Sequence, residues 1–476
     1  MKRIILCIIS VFMLIAALCT WLWFNSTYLI LNGQIYSRNS ASLVITEPEL
    51  PDMQTLSSFP DLDLLDIRYV NISCAEYDAL HAALPECEIL WLVPFGDGYY
   101  DNTAKKLVTT SLEESDFGNL RYFPYLETVD ARGCRDYQAL KRLMETYPNL
   151  TVQYTLYLGD RELSPDTEEM TIQNADLQDL RVILPYLPKV NKITFEGDIP
   201  ANEELYEMKV KWPDIVFDWE FEVLGVITRS TAQELDLSNI PVENTEAVAQ
   251  YMKYFYDLQR VDMCGCGIPS LQMEVLCDQF PEIRFIWSFE IGTWTVRTDD
   301  ISFISYKAGY HVNRPFYDDE AWELKYCVDM VSLDLGHMRM KDISFLKNMP
   351  KLKYLVLADT QASDYSVLAE LEELVFLELF LSTFEDVEIL LNLKNLEELN
   401  ISFTTLKNPE VLGQMTWLKR LWMASCGMKY ADCVDLSKSL SETKVCIWAS
   451  HPTGENWRDS DRYRQMRDLQ GMFYLD

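Results

Sequence analysis

A leucine recurs every 22 residues in the second half of this 476-residue chain, at Leu333, Leu355, Leu377, Leu399 and Leu421. A second column runs two residues behind it, at Leu335, Leu357, Leu379, Ile401 and Met423. A third carries Leu346, Leu368, Leu390 and Leu412, and a fourth Met349, Leu371, Leu393 and Met415. Apolar residues make up 49% of the chain, but composition alone does not put four columns in phase. A unit of this length cannot bury its own apolar face, so it must stack on copies of itself, and the end copies must be capped.

Within each unit a short extended run such as Tyr354-Leu355-Val356-Leu357 turns its leucines inward and its alternate residues outward. The turn that follows holds Met338, Thr360, Ser382, Thr404 and Cys426, so small hydroxyls and a thiol stand where many such repeats place an asparagine. The run Asp364-Tyr365-Ser366-Val367-Leu368-Ala369 reads as a helical turn on the outer arc. Together these features describe an α/β leucine-rich repeat solenoid: a curved, horseshoe-like stack of short parallel strands with helical outer arcs. The stretches DISFLKNMPKLKYLVLADT and NLEELNISFTTL resemble the 22-residue repeats of bacterial leucine-rich repeat proteins of the internalin-like class, from Val331 to Trp448. The resemblance implies the fold and an extracytoplasmic setting; it names no ligand, because one fold hosts many binding roles.

The first half carries a longer repeat. Val129-Asp130-Ala131-Arg132-Gly133-Cys134 matches Val261-Asp262-Met263-Cys264-Gly265-Cys266, and each leads through a helical stretch to Pro148 or Pro281 and then to an aromatic strand. Two further copies pass through Ile193-Thr194-Phe195 and Leu65-Asp66-Ile67. Glycines Gly33, Gly98, Gly159, Gly225 and Gly292, spaced 65, 61, 66 and 67 residues apart, are expected hairpin hinges. Each unit of about 65 residues should then hold three repeat-like turns and one hairpin elaboration. The expected organisation is an anchor over 1–25, degenerate repeats over 26–292, a joint over 293–330 with a binding island as its alternative, regular repeats over 331–448 and a C-terminal cap over 449–476. The cap is expected to cover the edge of the last strand, Val445 to Trp448.

Lys2 and Arg3 precede an uncharged run from Ile4 to Phe24, long enough to cross the roughly 30 Å of a bilayer core. Positive residues ahead of it place the repeats outside. The reading is a retained, single-pass membrane anchor, the bulky Trp21-Leu22-Trp23-Phe24 end extending it beyond an ordinary signal. The alternative is a secreted protein, cleaved near Ala17-Leu18-Cys19. A charge balance of 41 − 74 = −33 argues against nucleic acid and, outside the anchor, against anionic membrane surfaces. Ten of the twelve cysteines follow the apolar run. Pairing of Cys74 with Cys87 or Cys426 with Cys433 is open to them, but Cys134, Cys266 and Cys426 occupy a core-facing turn position and read as free, buried thiols. Neither the cysteine spacing nor any acidic stretch fits a zinc or calcium site, and no cofactor motif occurs.

The four histidines, His81, His311, His337 and His451, lie in no catalytic motif, so the chain reads as a non-enzyme. Outward strand positions supply the candidate ligand-binding residues: Tyr354, Phe376, Glu378, Phe380, Asn400, Phe403, Arg420 and Trp422. Exposed aromatics on one sheet face suit a recognition patch; they could equally pack on one another. If exposed, Phe380 and Trp422 should tolerate alanine within about ±0.5 kcal/mol, whereas inward Leu377→Ala should cost about 2–5 kcal/mol. In the tail, Arg458, Arg462, Arg464 and Arg467 concentrate positive charge, and Tyr463, Met466 and Leu469 recur at helical spacing. The functional expectation is a cell-envelope protein that binds a protein or glycan. A structural or regulatory envelope module is the alternative, and a cryptic cell-wall hydrolase ranks last.

Overall fold

The computed structural model describes residues 2–31, 34–173, 177–305 and 315–472. They fall into two compact units, residues 1–217 and 218–476. This division lies inside the first group of repeats, not in the 293–330 joint.

The N-terminal unit begins with a 26-residue helix, Lys2–Thr27. Its Ile8–Thr27 portion is long and apolar enough to cross a membrane, and none of it is buried against the protein. A hairpin, Tyr28–Leu31 with Gln34–Ser37, follows; Gly33 lies outside the described residues. The 65-residue pattern then becomes explicit. Ser42–Val44, Leu64–Asp66 and Glu88–Leu90 form a parallel triplet, and Leu92–Phe95 pairs with Gly98–Asp101 as its hairpin. Lys106–Val108, Thr128–Asp130 and Thr151–Gln153 repeat the arrangement, with Leu156–Leu158 and Arg161–Leu163 as hairpin. A third triplet comprises Glu169–Gln173, Lys192–Glu196 and Val216–Asp218. Gly159, Gly225 and Gly292 have the positive φ expected at a hairpin hinge, but in the first of these hairpins Gly96 takes that role and Gly98 opens the return strand. A β-carbon on Gly96 would meet Thr109 Oγ1 at an impossible 1.9 Å, so the side-chain-free residue is required twice over.

The C-terminal unit opens with the hairpin Glu220–Val223 with Val226–Arg229. A triplet of Glu234–Asp236, Arg260–Asp262 and Arg284–Ile286 and its hairpin, Ser288–Ile291 with Trp294–Arg297, come next. A seven-stranded parallel sheet completes it: Ser302–Ile304, Ser332–Asp334, Tyr354–Val356, Phe376–Glu378, Glu398–Asn400, Arg420–Trp422 and Lys444–Cys446. Phe303, Leu333, Leu355, Leu377, Leu399, Leu421 and Val445 stand side by side in its register. The 22-residue period is thus one strand step. Because Ser302–Ile304 already pairs with Ser332–Asp334, the described part of the joint supplies the first strand of this sheet.

Every member of the four leucine columns is buried, with exposure of 2% or less. The turn position behaves as its chemistry suggests: Thr360, Ser382 and Thr404 each return a hydroxyl hydrogen bond of 2.6–2.7 Å to the carbonyl three residues earlier. Between strand and turn, His337, Asp359, Leu381, Phe403 and Ser425 all adopt positive φ, again 22 residues apart. That conformation aims the amide of each of the first four at a carbonyl of the next repeat, so ladder bonding repays a backbone geometry these side chains disfavour. The outer arcs from Ser344–Asn348 to Pro409–Gln414 are 3-10 turns, as at Ser366–Glu370, and the next is the α-helix Tyr430–Ser439.

Cys134, Cys266 and Cys426 are buried and unbridged. Burial pushes all three thiols up, Cys426 to about 11. We therefore expect them to resist iodoacetamide near pH 8 in the native protein and to react fully in urea, as read by peptide mass mapping. A native disulfide at any of the three, or labelling without denaturant, would contradict this placement.

Candidate functional site

The outward face of the seven-stranded sheet, opposite the leucine columns, is where the candidate residues meet, and it is covered. The first strands of three triplets, Ser42–Val44, Lys106–Val108 and Glu234–Asp236, bury only their central residue, as a strand with one solvated face should. By contrast, Ser332–Asp334, Tyr354–Val356, Phe376–Glu378 and Glu398–Asn400 bury all three positions. The cover is the C-terminal segment, residues 449–472. It contributes no strand among the described residues and does not extend the edge at Lys444–Cys446. Instead it runs back across the sheet, as a loop, a short 3-10 turn at Trp457–Asp459 and the helix Asp461–Leu469. The expectation of a cap on the last strand thus gives way to a strap over the face; Trp448 at that edge remains 65% exposed.

The segment's contacts start on the last repeats and end on the first strands of the sheet. Trp422 donates its indole N–H to the Gly454 carbonyl at 3.0 Å, and Asn400 donates its amide to the Pro452 carbonyl at 3.0 Å. Arg420 donates to the carbonyls of Asn456 (2.8 Å) and Trp457 (3.1 Å), pairs with Glu398 (3.1 Å) and lies over the rings of Trp422 and Trp457. Trp457 is fully buried, stacked on Phe376 at 5.3 Å and tilted against Trp422 at 5.2 Å. Its indole N–H reaches Glu378 Oε1 at 2.5 Å. From the helix, Arg462 binds Glu397 at 2.7 Å, Gln465 accepts from the Tyr354 hydroxyl at 3.0 Å, and Arg467 binds Asp334 at 2.9 Å. Beyond it, Gln470 reaches Ser332, and Ser302 reaches the Leu469 carbonyl.

One apolar cluster unites the two partners: Tyr354, Val356, Ala358, Phe376, Phe380 and Trp422 from the repeats, and Trp457, Tyr463 and Met466 from the segment. Of the eight candidates, Tyr354, Phe376, Glu378, Phe380, Asn400 and Trp422 are buried, while Arg420 and Phe403 are partly so. Phe403 sits at the positive-φ turn rather than on the strand. The expectation that Phe380 and Trp422 stand free is therefore corrected: both belong to a core, because the segment removes their outer faces from water.

Electrostatics tighten the arrangement. Arg462 and Lys419 hold the Glu397 carboxyl down to about 2. Burial instead pushes Glu378 and Glu398 up. Glu378 is completely enclosed; its Oε2 receives no hydrogen bond, and the Arg458 guanidinium stands 3.6 Å away. Asp334 belongs to a recurring pattern in which the last strand residue is an aspartate neutralised by an arginine: Asp66 with Arg68, Asp130 with Arg132, Asp218 with Arg229 and Asp262 with Arg297. In those four the arginine lies 2 to 35 residues away, whereas Arg467 comes from 133 residues down the chain. Asp334 and Glu398 stand at outward strand positions, a signal the alternation of the repeat carries, whereas Glu397, one residue before its strand, carries none.

The register and the buried columns define a leucine-rich repeat protein. No protein-family model and no curated protein matches the chain. Among solved structures it is similar to an internalin from Listeria monocytogenes, at 16% identity over 88% of this chain and 91% of that one, with a TM-score of 0.27. A leucine-rich repeat protein of Leptospira interrogans matches at 12% identity over 84% and 93%, with a TM-score of 0.25. These likenesses concern the repeat fold alone.

Proposed function

We propose that the chain is a non-catalytic recognition protein of a bacterial cell envelope, held by its N-terminal helix with the repeats outside, which binds a protein partner through the face of its seven-stranded sheet. The observation that carries this reading is how that face treats a polypeptide. Asn400, Arg420 and Trp422 donate side-chain hydrogen bonds to four backbone carbonyls of residues 452–457. Carbonyls are common to every peptide, whereas the aromatic and carboxylate columns around them select side chains. Of the two ligand classes open from sequence, protein or glycan, this geometry favours protein. Placement outside rests on Lys2 and Arg3 ahead of the apolar helix, and the net charge of −33 disfavours nucleic acid.

A second reading is a structural envelope module. The completeness with which residues 449–472 fill the face favours it, since a permanently closed face binds nothing.

The test is protease shaving of intact cells expressing the full chain, combined with intact-mass analysis of the membrane fraction and photocrosslinking from Phe403, the partly exposed rim aromatic. We expect cleavage of the repeats from outside, a retained N-terminal helix and a crosslinked polypeptide. A soluble product starting near Thr20 would refute the anchor, and a protected repeat region would refute the envelope-facing placement.

A further inference from the structure

We propose that the partner of the sheet face is a basic, tryptophan-bearing polypeptide segment, and that residues 449–472 occupy the face as its intramolecular competitor. This rests on the reading of the face as a protein-binding surface and specifies both its ligand and its resting state.

Three observations carry it. First, the face is complete without the segment. The seven strands obtain their ladder bonds from one another, and among the described residues every hydrogen bond between the sheet and residues 449–472 involves a side chain. The contact therefore has the make-up of an interface, with buried tryptophan, tyrosine and arginine at its centre, rather than of a shared secondary structure. Second, charge is complementary: Asp334, Glu378 and Glu397 on the repeats meet Arg467, Arg458 and Arg462 on the segment. Third, the fit is imperfect at its most enclosed point. Glu378 Oε2 lacks a hydrogen bond, and Arg458, the cation facing it, is too distant to donate one. A partner that set a lysine or arginine N–H at ordinary hydrogen-bond length there would gain a charge-assisted bond that the resident segment does not make.

The entry to the segment also resists closure. Glu455 and Asn456 both adopt left-handed φ, of 54° and 62°, immediately before Trp457. Asparagine tolerates that region better than glutamate does, so the docked segment carries some backbone strain at Glu455. Because the segment is tethered, it competes at an effective concentration on the order of millimolar, and an external ligand must bind the vacated face well to displace it.

The test uses full-length protein in detergent and a fluorescein-labelled peptide of residues 449–472. Binding is read by anisotropy to the wild-type chain and to a full-length Trp457→Ala, Arg467→Ala variant whose own segment is weakened. We expect saturable binding to the variant, at least about tenfold tighter than to wild type, because the competitor in cis has been weakened. Adding Glu378→Gln to the variant should reduce that binding, and a peptide carrying alanine at 457 and 467 should not bind. Absence of peptide binding to the folded variant would overturn the proposal. So would a mass doubling of the wild-type chain at rising concentration, with tails exchanged between two copies, since the occupant would then be a second copy. Hydrogen exchange on the wild-type chain needs no variant: amides of residues 461–469 should exchange faster than those of the strands from Ser332 to Trp422. Equal exchange would show that the segment leaves only when the repeats unfold, which also overturns the proposal. Peptide binding without any crosslinked envelope partner would instead refute the envelope function while leaving the chemistry of the face intact.

Discussion

Replacing Trp457 with alanine should lower the unfolding free energy of the C-terminal unit by about 3–5 kcal/mol, the range for emptying a fully buried aromatic site. Trp457 is enclosed between Phe376 and Trp422 and satisfies its indole N–H on a buried carboxylate. Its removal leaves a cavity and also strips Glu378 of its hydrogen bond, a second and separate penalty. Trp422→Ala, on the opposite side of the same stack, should fall in the same range. The inward Leu377→Ala should cost about 2–5 kcal/mol. The two classes differ in kind, however. Loss from the strap cannot exceed the free energy with which residues 449–472 dock, because past that point the repeats stay folded and the segment merely comes away. Loss at Leu377 has no such ceiling, since that leucine belongs to the stack itself. Urea unfolding monitored by circular dichroism measures both. A Trp457→Ala effect within about 0.5 kcal/mol of zero, the size typical of exposed positions, would mean that the segment does not cover the face in solution.

Arg467→Met should be nearly as costly, at about 3–5 kcal/mol, because it leaves Asp334 buried without its cation. Both side chains of this pair are more than nine-tenths buried, so the loss is dominated by an uncompensated charge rather than by the attraction itself. Asp334→Asn in the same chain should therefore restore most of the stability. The asparagine can still accept the Gly336 amide that Asp334 now holds, and no buried charge remains. A double-mutant cycle reads the coupling directly. If the double variant is no more stable than Arg467→Met alone, the pair is not buried as described. Combining Arg467→Met with Trp457→Ala should give less than the sum of the two losses, since both draw on one docking free energy.

The four leucine columns and the 65-residue units were legible because each records a local constraint. A solenoid repeat contacts mainly its neighbours, so the burial demanded of Leu355 is met by residues about one period away, and the demand shows as periodicity. The hydroxyl turn at Thr360, Ser382 and Thr404 was legible for the same reason: its hydrogen bond closes within three residues. The glycine hinges were slightly less so, and the one expected at Gly98 falls at Gly96, because two glycines stand close together and only the structure's positive φ and close approach to Thr109 distinguish Gly96. What the outward columns do was not legible. Alternation tells which residues leave the leucine core, but not whether water or protein receives them. Tyr354 and Phe380 look identical in sequence whether they form an open patch or the floor of a covered one.

By itself, then, the sequence determined the repeat, its register and the identity of the inward and outward faces, all consequences of interactions that span one repeat or less. Only the tertiary structure decided that the outward face is closed. That outcome depends on contacts such as Asp334 to Arg467, 133 residues apart, and Glu378 to Trp457, 79 apart. No period connects such residues. They meet because the stack first builds a surface of aromatics and carboxylates, and the arginine-rich end of the same chain is the tethered group whose charge and shape match it.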